Sequence, residues 1–148
     1  MSTSTSVQVT VPATTANIGP GFDCLGAALS RYNTVTVTPV SEQQASGPAM
    51  ITVTGLDAEK IGTDVDNLAY QSFVKLYTHI GQTPPPIHMA IDVDIPLARG
   101  LGSSATAIVG GLLAANALAG SPLSQDEVMQ LAIAIEGHPD NVVPALLG

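Results

Sequence analysis

Cationic side chains are scarce in this sequence. Four Lys and Arg stand against twelve Asp and Glu, for a formal net charge of -8. Arg31, Lys60, Lys75 and Arg99 are scattered and make no basic stripe, which excludes a nucleic-acid footprint. The same shortage argues against attachment to an anionic membrane surface. Any phosphate bound by this chain must be held mostly without Lys and Arg. Tryptophan is absent, and three Tyr with two Phe are too few to stack a run of bases. A single cysteine, Cys24, allows no intrachain disulfide and suits a reducing compartment. Met1–Ser6 has neither a basic region nor an apolar run, so no secretory signal is read there and a cytoplasmic location is expected.

What is present is apolar. Hydrophobic residues make up 45% of the 148, enough for one domain with a real core and too many for an acidic disordered tail. No charge occurs from Gly100 through Gln125, a length that could span a bilayer. That stretch is built of Ala, Gly and Ser, without aromatic belts or a flanking Lys/Arg cluster, so it reads as a buried helix of small residues.

Period-2 alternation marks strands at Val7–Val11, Asn33–Val40, Met50–Thr54 and Ile87–Val93, and a short apolar run marks another at Leu25–Leu29. Pro12 is expected to end the first. Leu68, Phe73, Leu76, Tyr77 and Ile80 have helical spacing behind Asp66 as N-cap. An Ala-rich helix should follow Gly102 and end near Gly120. Ser124 with Glu127 reads as a capping box for the next helix, and Asp140 as the cap of a last one.

Pro96-Leu97-Ala98-Arg99-Gly100-Leu101-Gly102-Ser103-Ser104-Ala105-Thr106 carries the strongest chemical signal. A strand, a Gly/Ser turn and a helix N-terminus form an anion site. First-turn amides lack intrahelical partners, and the helix dipole favours negative charge there. The serine hydroxyls can bond phosphate oxygens or ligate Mg²⁺. Three readings compete: a nucleotide-phosphate loop, a purely structural cap, and the loose G-x-G-x-x-A dinucleotide form, which lacks its acidic residue ~20 positions on. No Gly-Lys-Ser/Thr ending is present, so it is not a Walker loop.

The same loop resembles the phosphate-loop motif of the GHMP kinases. Two further segments narrow the likeness to the homoserine kinases of that family: Val11-Pro12-Ala13-Thr14-Thr15-Ala16-Asn17-Ile18-Gly19-Pro20-Gly21-Phe22-Asp23-Cys24-Leu25-Gly26, and Glu136-Gly137-His138-Pro139-Asp140-Asn141-Val142. The resemblance implies an α+β fold, a two-layer sandwich of a mostly antiparallel sheet and helices, with residues 1–148 as the N-terminal, ATP-binding domain. Family members are about twice as long, and their C-terminal glycine-rich motif has no counterpart here. The chain is therefore expected to be the N-terminal half, inactive or nearly so alone.

The implied reaction is ATP-dependent phosphorylation of L-homoserine to O-phospho-L-homoserine. Residues 96–106 would hold the ATP phosphates, and Ser104 with Glu136 would ligate Mg²⁺. Asn17, Asp23, His138, Asp140 and Asn141 would bind the acceptor, with Asp140 and Asn141 closest to the chemistry. Asp23 would pair the ammonium of homoserine. No cation is a convincing partner for its carboxylate, which points to the C-terminal half. A homodimer is an assembly the resemblance allows. A non-catalytic binding domain of the same fold, or a GHMP kinase using another alcohol, remain the rival readings.

Overall fold

Alternating apolar and polar residues build the sheet, and small-residue helices close one face of it. The computed structural model describes residues 5–16, 26–97 and 99–148. In chain order the elements are β1 (Val7–Ala16), β2 (Gly26–Pro39), β3 (Ala49–Gly55), α1 (Leu68–His79), β4 (Ile87–Val93), α2 (Ser103–Leu118), α3 (Gln125–Glu136) and α4 (Val142–Leu147). The strand order is β1-β2-β4-β3. The β1/β2 and β2/β4 pairs are antiparallel, while β3 and β4 run parallel with α1 in the crossover between them. This is the expected two-layer α+β arrangement.

Val35 and Val37 of β2, and Ile87, Met89, Ile91 and Val93 of β4, turn to the helices and are buried. The intervening Thr34, Thr36, Thr38, His88 and Asp92 face outward. Phe73 and Leu76 of α1 and Ile108 and Leu112 of α2 complete the core. The two helices approach closely because α2 has no side chain at Gly111, where a Cβ would run into the Ala69 carbonyl oxygen. The uncharged stretch is thus a core helix, and no helix among the described residues is long and apolar enough to cross a membrane.

Several boundaries differ from the sequence reading. Pro12 does not end β1, because β1 is an edge strand and its register shifts between Pro12 and Thr14. Edges and bulges are where a missing N–H is tolerated. The two expected strands, 25–29 and 33–40, merge over Gly26–Pro39 into one continuous β2, whose polar stretch Ser30–Tyr32 is exposed yet remains extended, and Leu25 lies outside the described residues. Asn67, not Asp66, caps α1, accepting from the amides of Ala69 and Tyr70. Asn141, not Asp140, occupies the N-cap position of α4, with no side-chain cap bond. The capping box of α3 is present in both directions.

Candidate functional site

The glycine–serine loop runs from the end of β4 into α2. Its stems are tied together by Asn33, a buried residue in the middle of β2. The Asn33 carboxamide oxygen accepts from the amides of Asp94 at 2.9 Å and Ile95 at 3.1 Å. Its Nδ2 donates to Thr106 Oγ1 at 3.1 Å, and that hydroxyl donates on to the Ser103 carbonyl at 2.7 Å. One side chain therefore fixes the chain before the loop and the helix after it. Ser103 Oγ donates to the Pro96 carbonyl at 3.2 Å and closes the loop across its base.

A third anchor comes from Asp57, two residues past the end of β3. Its Oδ2 accepts from the Leu97 amide at 3.2 Å, and its Oδ1 accepts from Lys60 Nζ at 2.9 Å. The Lys60 ammonium, then the Leu97 amide, hold the Asp57 carboxyl below the usual carboxylate range. Gly100 and Gly102 take left-handed φ values of 68° and 72°, which residues with a Cβ rarely adopt. The α2 ladder begins with Thr106 N–H donating to the Gly102 carbonyl, so the amides of Ser103, Ser104 and Ala105 have no intrahelical acceptor.

Beside this helix start lies a pocket of about 440 Å³. Aliphatic walls from Val35, Ile61, Leu68, Ile91, Val93 and Leu97 lead to a polar end formed by Gly100–Ser104. Apolar walls with a polar end and a volume in the small-molecule range suit a nucleoside whose phosphates point at the helix. Ala98 falls outside the described residues.

The 136–141 segment meets the loop from the other side. Gly137, with φ 95°, stops α3 directly after Glu136. The Ser104 hydroxyl donates to Glu136 Oε1 at 3.2 Å. Asp140 is buried, its side chain 4% exposed, and bonds Nδ1 of the half-exposed His138. Asn141 Oδ1 accepts from the Thr14 hydroxyl at 2.7 Å. The expected residues Arg99–Thr106, Glu136, His138, Asp140 and Asn141 thus gather along the α2 start and the segment facing it. Asn17 and Asp23 lie outside the described residues.

The sequence analysis gives Asn33 and Asp57 no site role, placing Asn33 only at the start of an alternating strand, and Thr14 enters it only as part of the first motif. Among the described residues no buried side-chain polar atom lacks a partner, so these bonds complete the network. No group of three or more His, Cys, Asp or Glu able to hold a metal occurs among them either.

A sheet covered on one face by helices, with a Gly/Ser loop opening a helix beside an apolar pocket, has the layout of a phosphate-binding α+β domain. The family model of the GHMP kinases N terminal domain matches residues 67–148. The chain belongs to the GHMP kinase family. It is 68% identical over its whole length to the homoserine kinase of Trichodesmium erythraeum, of which it covers 48%. It is 62% identical to that of Nostoc punctiforme, covering 47%. The crystal structure of homoserine kinase from Cytophaga hutchinsonii superposes on the entire chain with a TM-score of 0.85 at 30% identity, the match taking in 48% of that protein. Mevalonate kinase from Methanococcus jannaschii, at 15% identity and TM-score 0.76, shares the fold. The chain spans about half the length of the curated relatives it matches.

Proposed function

We propose that this chain is the ATP-binding half of a homoserine kinase. The reaction moves the γ-phosphoryl group of ATP to the hydroxyl of L-homoserine, giving ADP and O-phospho-L-homoserine. The observation that carries the reading is the facing of the loop and the 136–141 segment, linked directly by Ser104–Glu136 at 3.2 Å and through Thr14 of β1, whose amide donates to Leu101 at 2.9 Å and whose hydroxyl donates to Asn141 at 2.7 Å. The identity of 68% to a relative named homoserine kinase selects the acceptor. In this reading the protein is cytoplasmic and its substrate carboxylate is held by a cation from outside residues 1–148.

Phosphoryl transfer needs positioning and charge stabilisation more than covalent chemistry. The amides of Ser103, Ser104 and Ala105, with the α2 dipole behind them, take the negative charge of the phosphates without a lysine. Ser104 and Glu136 suit Mg²⁺, since they offer two hard oxygens side by side and phosphate oxygens and water can fill the rest. When bound, that ion would supply charge neutralisation on the phosphates. Asn141 hydrogen-bonds the acceptor hydroxyl, and Asp140 orients it from a carboxylate that His138 holds. Asp23 pairs the substrate ammonium, and Asn17 bonds its amine or hydroxyl.

A coupled assay of ADP release tests the proposal. Release that depends on L-homoserine, and not on mevalonate or galactose, is expected of the protein containing this chain. Equal release with another alcohol, or nucleotide binding with no acceptor-dependent turnover, would sink it.

A further inference from the structure

Besides the Ser104–Glu136 bond, the two sides of the site meet at Thr14. It is a fully buried polar residue of β1, at 0% exposure, directly after the register shift at Pro12. A bulge of this kind re-aims the side chain that follows it. The Thr14 backbone amide donates to the Leu101 carbonyl at 2.9 Å, inside the glycine–serine loop. Its hydroxyl donates to Asn141 Oδ1 at 2.7 Å, across 127 residues of sequence. Gly102 makes room for that hydroxyl, because a Cβ there would run into Thr14 Oγ1 and come within 3.4 Å of Asn141 Oδ1. The Thr14–Asn141 hydrogen bond thus sits against the space that a side chain at Gly102 would take.

We propose that Thr14 is a positioning residue that sets the acceptor side of the site against the phosphate loop and fixes which end of the Asn141 carboxamide faces the acceptor. A hydroxyl proton given to Oδ1 makes the carbonyl end the inward one. The Nδ2 group, at the other end of the same plane, is then the end left for a ligand, as a donor to the acceptor oxygen. The Leu101 bond comes from the backbone N–H and is kept by Val or Ser at 14, so in these variants the change falls on the hydroxyl bond to Asn141. The inference rests on the kinase reading above, and Thr14 itself touches neither substrate in it.

Thr14→Val keeps the shape and removes the hydroxyl, while Thr14→Ser keeps the hydroxyl and removes a methyl. In the turnover-competent protein containing this chain, Thr14→Val should lower kcat roughly 10- to 100-fold, the scale of a misplaced reacting group. KM for ATP should stay within about 2-fold, because the loop bond is unchanged, and Thr14→Ser should restore most of kcat. An unchanged kcat in Thr14→Val, or losses in kcat and ATP affinity together in both variants, would overturn the proposal. A wild-type protein without homoserine-dependent turnover would instead overturn the kinase reading. The coupling is then read by NMR on the wild-type chain, where it predicts a slowly exchanging Thr14 hydroxyl proton close to the Asn141 side chain. A freely exchanging hydroxyl would contradict it, whether or not any variant folds.

Discussion

Asn33→Ala is the substitution whose effect follows most directly from the geometry. It removes two acceptor bonds, to the amides of Asp94 and Ile95, and one donor bond to Thr106. A buried hydrogen bond contributes roughly 1 kcal/mol net, so three give about 3 kcal/mol. Ile95 is 0% exposed, so its amide is left without water, which adds roughly 1 kcal/mol more. Asp94 is exposed and its amide can be solvated, so it adds nothing beyond the lost bond. The expected destabilisation is about 3–4 kcal/mol. In urea, with a slope of roughly 2 kcal/mol/M for a domain of this size, the midpoint should fall by about 1.5–2 M. Nucleotide affinity should fall as well, since both loop stems lose their common anchor. A midpoint shift below roughly 0.5 M, at an unchanged slope, would show that the loop stems hold each other without Asn33 and would refute the reasoning.

Three other outcomes are expected. Gly111→Ala should destabilise the chain despite the better helix propensity of alanine, by about 1–3 kcal/mol, because the new Cβ meets the Ala69 backbone oxygen; thermal melting that rises instead would contradict the close α1/α2 approach. Burial raises the phenol pKa of Tyr70 and Tyr77, so the folded state favours their neutral forms. Their contribution to stability is complete below a pH of about 10 and is lost as pH climbs past it through the folded values. Urea midpoints should fall above that pH in the wild type and fall less in the Tyr70→Phe/Tyr77→Phe chain, and identical alkaline profiles would count against this. Ser104→Ala should weaken the Mg²⁺ dependence of nucleotide binding by roughly 10-fold, the scale of a lost ligand contact, while leaving affinity for adenosine alone; titration calorimetry with both ligands separates the two.

Local signals were readable where partners are close in sequence. The capping box needs only Ser124 and Glu127, whose two bonds at 3.2 and 2.7 Å span three residues. The alternation of Ile87–Val93 marks a strand with one buried face, and the Gly/Ser loop declares itself by composition. Long-range partners are not visible that way. Asn33 bonds residues 61, 62 and 73 positions away, and Thr14 bonds one 127 away, so no spacing rule reaches them. Pro12 misled because a proline stops a central strand and not an edge strand with a bulge. Asp66 misled because its neighbour Asn67 both caps α1, accepting from two amides, and donates to the Gly62 carbonyl, three bonds that together fix the turn before the helix. The scarcity of cations has a structural counterpart: two of the four, Arg31 and Lys60, face Asp94 and Asp57. In the proposed function, backbone amides at the start of α2 take the phosphate charge in place of these cations.

The central claim is that those amides present ATP to the hydroxyl of homoserine. Phosphorus NMR of the products formed from ATP, Mg²⁺ and L-homoserine by the protein containing this chain tests it most directly. The account predicts one new phosphomonoester, identical to O-phospho-L-homoserine, appearing in step with ADP. Inorganic phosphate in place of the ester, or an ester formed equally well from an unrelated alcohol, would contradict it.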